Sequence, residues 1–252
     1  MLLVLVLGLL LSAWSKIARE IWRPRTRGQA GRWLASKQPR SHLVLFLSNV
    51  ITDANGKKNA EPDGGPKGTS LTGDLDVDLE HLAGRDGTYW PWEQMLRAIR
   101  AHLPVLCDVY CVCSQKSLPQ ATLFGRIVKS YRSFDGVSLH KVYHCRNGLC
   151  VVAASRNIAQ EPSEEPAGFN FEDYDQLAPA LRQLITDLIG QGVSESSIVV
   201  DFTGGQKVAS VVAMTQTYDS EVVAQYVQTG GAKDVYCYDI VLEKRRLDVP
   251  VK

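Results

Sequence analysis

The stretch His42-Leu43-Val44-Leu45-Phe46-Leu47-Ser48-Asn49-Val50 is apolar through its centre, and this predicts a strand buried on both faces. Residues 52–88 show almost no periodicity and are rich in Gly, Asp, Asn, Pro and Lys. They predict a long insertion, either disordered or serving as a lid. In 92–103, Met95, Leu96, Ile99 and Leu103 recur on one helical face, and Pro104 marks its end. Strands are expected at 105–113, 137–145 and 148–154, the last two forming a hairpin around Arg146-Asn147-Gly148. A helix is expected at 117–133, with Gly125 its weak point, and an acidic loop at 155–171. Tyr174, Leu177, Leu181, Leu184, Ile185 and Leu188 define an amphipathic helix within 172–190. A short buried strand at 197–202 leads at once into Thr203-Gly204-Gly205-Gln206-Lys207 and an apolar helix at 208–214. Strands at 222–228 and 235–242 flank Thr229-Gly230-Gly231 in hairpin spacing. Strands alternating with helices predict an α/β domain over 41–252, with a mostly parallel sheet and a terminal β-hairpin. No internal repeat is present.

Composition adds a division of charge. The chain has 252 residues, 45% hydrophobic and 22% charged, which excludes disorder, collagen or coiled coil as descriptions of the whole. Its 28 Lys+Arg against 27 Asp+Glu leave a net +1, so no direct binding to duplex DNA or RNA is expected. Residues 16–40 nevertheless hold eight of the basic residues and one acid, Glu20. Before them, residues 1–15 carry no charge. Fifteen helical residues span roughly 22 Å, short of a ~30 Å hydrocarbon core, but continuation to Trp22 brings the length to roughly 33 Å. Charge follows the apolar core, the reverse of a secretory signal peptide. A cleaved signal or a buried core helix are the alternatives to the expected organisation. That organisation is a single transmembrane helix at 1–22, a basic juxtamembrane linker at 23–40, and a cytoplasmic domain from 41, with the N-terminus outside.

Few other motifs carry chemistry. The six cysteines include no Cys-x-x-Cys pair and no His at ligand spacing, so no metal is expected and reduced, mostly buried thiols are. Cys107, Cys111 and Cys113 fall on one face of the expected strand. His42, His81, His102, His140 and His144 are scattered; His140 and His144 share a strand parity, with no acidic or cysteine partner at ligand spacing, and surface or core roles are expected. Asp74-Leu75-Asp76-Val77-Asp78-Leu79-Glu80 opens like a calcium loop, but Leu79 stands where glycine is required. An exposed strand or a solvated loop face is expected there. Tyr89-Trp90-Pro91-Trp92 offers rings either to stack on an adenine or to pack beneath the insertion. Neither a serine–histidine–acid order nor paired catalytic carboxylates can be assembled, so no catalytic residue is assigned and no cofactor is expected.

The one stretch with a site-like arrangement is Asp201-Phe202-Thr203-Gly204-Gly205-Gln206-Lys207. A strand ends, two glycines permit a turn without Cβ clashes, and a helix begins with free amides and the positive end of its dipole. That is an anion site, to which Lys207 adds a full charge. In open α/β sheets ligands bind at this edge, where Ser48, Asn49 and Ser114 also fall as the polar ends of their strands. Thr203, Gly204, Gly205, Gln206 and Lys207 complete a donor set suited to a phosphate-rich, nucleotide-like ligand. The alternative is that the glycines only serve a tight turn. The spacing is neither a P-loop nor G-x-G-x-x-G.

With Asp201, Thr203, Gly204, Gly205 and Lys207 matching D-x-[ST]-G-G-x-K, and with strands ending at Ser48-Asn49 and Ser114, the chain resembles the CRISPR-associated Rossmann-fold (CARF) sensor domains. These serve type III CRISPR effectors. The resemblance covers 41–252. It implies a homodimer whose two ligand-facing edges form one pocket for a cyclic oligoadenylate, with cyclic tetra-adenylate as the expected ring. The insertion at 52–88 departs from compact members; Lys57, Lys58 and Lys67 would either close over the ligand or keep the loop soluble. With the apolar N-terminus, the chain looks like the membrane-anchored effectors of that family. The implied function is then a non-enzymatic receptor in the inner membrane that forms a pore or depolarises the membrane in antiviral defence. Its transmembrane helices would meet as a tetramer of two sensor dimers, in contact with membrane lipid. An anchored ring nuclease using Thr203, Lys207 and Ser48, or a tethered protein binding an ordinary nucleotide, are the rival expectations.

Overall fold

The computed structural model describes residues 32–33, 38–50, 60–83, 90–145, 148–155, 166–218, 220–228 and 234–239. All fall within Gly31–Ile240, the larger of the two units into which the chain divides. The expected transmembrane helix at 1–22 and most of the linker at 23–40 lie outside the described residues. Among the described residues no helix is long and apolar enough to cross a membrane.

The domain is α/β, built on seven principal strands and a two-residue edge strand. In chain order these are β1 (Arg32–Trp33), β2 (His42–Leu47), β3 (Asp108–Cys113), β4 (Ser138–Cys145), β5 (Gly148–Ala153), β6 (Ile198–Asp201), β7 (Val223–Val227) and β8 (Val235–Asp239). Their order across the sheet is β1-β8-β7-β6-β2-β3-β4-β5. The five central strands, β7, β6, β2, β3 and β4, are mutually parallel, while β5 and β8 run antiparallel to their neighbours. The helices are α1 (Leu75–Ala83), α2 (Pro91–Arg100), α3 (Ala121–Lys129), α4 (Tyr174–Gly190) and α5 (Lys207–Gln216).

Strand parity distributes the core. Leu43, Leu45, Leu47, Val109, Cys111, Cys113 and Val199 pack on one face with α1, α2 and α3. Val44, Phe46, Tyr110, Val112, Val142, Ile198 and Val200 pack on the other with α4 and α5. Central β2 therefore buries every residue from Leu43 to Leu47 at 0% exposure, which is why its sequence is a run rather than an alternation. The helix α4 starts where the Asp173 carboxylate accepts the Gln176 amide at 3.1 Å.

Several expectations are corrected. The 52–88 insertion is not structureless throughout, because Leu75–Ala83 within it forms helix α1. Leu75, Leu79 and Leu82 form its inward face. Asp78 is buried and accepts the Thr72 hydroxyl at 2.7 Å and the Thr72 amide at 2.9 Å, so this acid ties the preceding turn to the helix. Tyr174 is exposed rather than on the apolar face of α4, its hydroxyl 3.3 Å from Thr215 Oγ1. The second helix ends at Arg100, before Pro104, and turns carry the chain on. Not all thiols are free: the β4–β5 hairpin brings Cys145 and Cys150 into a disulfide with Cα atoms 6.0 Å apart. Cys111 and Cys113 are buried on one strand face, but Cys107 precedes that strand and is exposed. Two histidines do find an acid. Strand register sets Asp108 between His140, at 2.8 Å, and His42, at 3.6 Å.

Candidate functional site

The parallel register brings the strand ends together. Leu47 pairs with Cys113, so Ser48 and Ser114 leave adjacent strands at the same level, and Asp201 pairs with Leu45 one strand over. From Asp201 the chain passes directly across the end of β2. A Cβ on Gly204 would lie 2.2 Å from the Phe46 carbonyl oxygen and 2.8 Å from Ser48 Oγ, so only glycine fits. Ser48 Oγ uses the closeness and donates to the Gly204 carbonyl at 3.0 Å. A second close approach comes from the segment at 166–171. A Cβ on Gly168 would lie 2.2 Å from the Ser114 carbonyl oxygen, and Phe169 donates its amide to the Cys113 carbonyl at 2.9 Å.

These segments enclose a cavity of about 440 Å³ at the carboxyl edge of the sheet. Of the expected residues, Ser48, Asn49, Ser114, Gly204 and Gln206 line it. Leu47, Pro91, Phe169 and Phe171 supply apolar wall, while Gln115, Lys116, Asn170 and Glu172 complete the lining.

Hydrogen bonds fix the polar rim. Buried Gln120 accepts the Val50 amide at 3.1 Å, donates to the Lys116 carbonyl at 3.0 Å, and donates to Asn49 Oδ1. It thereby ties the end of β2 to the loop after β3 and sets which way the Asn49 amide turns. Ser114 and Ser117 brace one another: Ser117 Oγ accepts the Ser114 amide at 2.8 Å, and Ser114 Oγ accepts the Ser117 amide at 3.1 Å. The indole of Trp92 donates to the Ser48 carbonyl at 3.0 Å. Trp90 donates to the Gly64 carbonyl at 3.0 Å, and both indoles are buried, so these rings pack beneath residues 60–66.

The remaining expected residues stand behind or beside the cavity. Thr203 Oγ1 accepts the Val227 amide at 2.7 Å, which directs the hydroxyl into the sheet. Gly205 packs on the new helix; a Cβ there would lie 2.5 Å from that of Ala209. Lys207 is the first residue of α5 and exposed, outside the cavity lining. Among the described residues, the lysine in the cavity lining is Lys116. Gln206 precedes the helix in an extended conformation, and its side chain makes no capping bond to the α5 amides. Lys57 and Lys58 lie outside the described residues, and Lys67 is exposed and apart from this lining.

Beneath the loop, Asp201 is fully buried, and the loss of hydration raises its pKa to about 6. Bonds from Gln225, at 2.9 Å, and from the Thr203 amide, at 2.9 Å, oppose that rise. Burial likewise lowers the pKa of His102, 2.6 Å from Gln225.

Lys116 and Asn170 were not legible as site residues. Lys116 stands two residues after Ser114, a signal that was available. Asn170 depends on the return of 166–171 past Ser114, for which Gly168 was the sole cue.

No protein-family model matches the chain. Over 151 residues, 60% of its length, the chain is 26% identical to an uncharacterized protein of Aquifex aeolicus (strain VF5). It spans 41% of that relative, well under two thirds.

Proposed function

We propose that this chain is a membrane-anchored receptor of the CARF type, binding a cyclic oligoadenylate at the carboxyl edge of its sheet. The observation that supports it most is the convergence of Ser48, Asn49, Ser114, Gly204 and Gln206 on one open cavity, beside a helix start that the Gln206 side chain does not cap. Hydroxyl, amide and main-chain groups, with the Lys116 ammonium, suit phosphate and base edges together. A ring of repeated phosphates is read by two such edges related by a two-fold axis, so the working unit is a homodimer. Apolar surface on and beside α5 agrees with this: Val211 is 53% and Tyr218 41% exposed.

Ligand binding favours one arrangement of the sensor dimer over another. The difference passes through the basic segment at 23–40 to helices at 1–22, which assemble as a tetramer in the inner membrane and permeabilise or depolarise it. The sensor domain faces the cytoplasm, and the output is antiviral arrest in type III CRISPR defence.

Titration of the full-length protein in lipid nanodiscs with cyclic tetra-adenylate tests the reading. Binding of one ring per two chains, absent with linear tetra-adenylate, is the expected result. Liposomes carrying the protein should leak dye when the ring is added. No binding of tetra-, hexa- or tri-adenylate rings sinks the proposal, and competition by ATP or NAD would replace it with an ordinary nucleotide. The ring-nuclease alternative draws on Thr203, Lys207 and Ser48, of which only Ser48 lines the cavity. Linear products from labelled ring would revive it.

A further inference from the structure

A row of hydrogen bonds runs from the main chain before β2 to the glycine loop. The Arg40 amide donates to His102 Nδ1 at 3.0 Å, and His102 Nε2 lies 2.6 Å from Gln225 Oε1. Gln225 Nε2 donates to Asp201 Oδ2 at 2.9 Å, and Asp201 Oδ1 accepts the Thr203 amide at 2.9 Å. His102 is 2% exposed, and Gln225 and Asp201 are 0%.

The row has one direction. A main-chain amide can only donate, so His102 Nδ1 carries no proton and Nε2–H donates to Gln225 Oε1. That fixes the Gln225 amide with its NH₂ toward Asp201, which has to accept. The other Asp201 oxygen is then committed to Thr203, two residues before the point where Gly205 leaves the loop for α5. A buried polar row of this kind is costly unless every member is satisfied, and apolar side chains would fill the same space without that risk. Here its order ends on the one loop whose placement against Ser48 shapes the cavity.

We propose that His102 is a positioning residue for the Thr203-Gly204-Gly205 loop, acting through Gln225 and Asp201, with its tautomer set by the Arg40 amide. This rests on the reading of that loop as part of the ligand site, while the row does not depend on which ligand binds. Loop placement and the main chain at Arg40, where the basic segment reaches the sheet, share one set of bonds.

Asp201→Asn tests the direction of the row. With the oxygen of the new carboxamide kept on Thr203, its NH₂ meets that of Gln225. If Gln225 turns over, its NH₂ meets His102 Nε2–H, and a change of tautomer then opposes Nδ1–H to the Arg40 amide. Some donor pair always clashes. Adding His102→Glu removes the conflict, because a carboxylate accepts from both Gln225 and Arg40. Hydrogen exchange of the 203–205 amides in the full-length protein should therefore quicken by about tenfold or more in D201N and return near wild type in D201N/H102E. Exchange unchanged in D201N overturns the proposal, as does quickening that H102E fails to reverse. Should D201N not fold, recovery of folded protein in the double variant supports the row and its absence overturns it. Cyclic tetra-adenylate binding is read on the same samples. A wild type that ignores the ring removes the ligand assignment, while the exchange pattern still decides the positioning role.

Discussion

Ser48 and Gly204, 156 positions apart, meet at a 3.0 Å bond from the serine hydroxyl to the glycine carbonyl. The loop can sit this close only because position 204 has no side chain, and the same contact forms one wall of the cavity.

Gly204→Ala should be among the most damaging single substitutions at the site. Its methyl would have to occupy space 2.2 Å from a main-chain oxygen of the central strand, which cannot move aside. A loss of at least about 2 kcal/mol in urea unfolding is expected, together with loss of ring binding. Ser48→Ala, which removes the bond but leaves the close approach, should cost about 1 kcal/mol. Equal effects of the two would contradict the steric account.

The two lysines beside the loop should separate in binding. Lys116 lines the cavity, whereas Lys207 is exposed at the head of α5 and outside the lining. Lys116→Ala is expected to weaken ring binding by about tenfold, as for loss of one charge-assisted contact, and to flatten its salt dependence. Lys207→Ala should do distinctly less. A larger effect at Lys207, measured by titration at two salt concentrations, would place the phosphate on the helix start instead.

The glycine loop was legible because its chemistry is local: a strand, two glycines and a helix are consecutive in the chain. Ser48 and Ser114 were legible because parallel strands deliver their last residues to one edge. Lys116 follows Ser114 by two residues on the same strand end, whereas Asn170 joins them only through the return of 166–171, a tertiary event with a single glycine as its trace. Helix α1 was hidden for another reason. Acids at 74, 76, 78 and 80 alternate with apolar residues and imitate a strand, whereas burial of Asp78 against Thr72 reveals the helical face of Leu75, Leu79 and Leu82. Strand register, which places His42 and His140 on either side of Asp108, leaves no mark in local sequence.

The hairpin disulfide gives a direct check on that part of the fold. Alkylation of unreduced protein should leave Cys145 and Cys150 unmodified while exposed Cys107 reacts. Because the bridge closes a short loop, Cys150→Ser should cost about 2 kcal/mol. Full labelling of both cysteines without reductant would remove the bridge.

Stability should also carry the signature of the buried row. Asp201 has a folded pKa of about 6 against an ordinary 3.8, so the folded state holds its proton more tightly than the unfolded chain. Its contribution is complete below about pH 4 and is lost as pH rises through about 6, on the order of 3 kcal/mol in all. His102 acts in the opposite sense: burial lowers its pKa, so its contribution is present above 6.5 and is lost as pH falls through the folded value. Urea unfolding between pH 4 and 8, compared for wild type and Asp201→Asn, isolates the carboxyl, since the amide does not titrate. The difference between the two proteins should shrink as pH rises from 4 to 7, because ionisation destabilises only the wild type. A difference that stays constant across that interval would mean that Asp201 does not titrate there, and its carboxylate would then be held by its neighbours more firmly than its burial opposes.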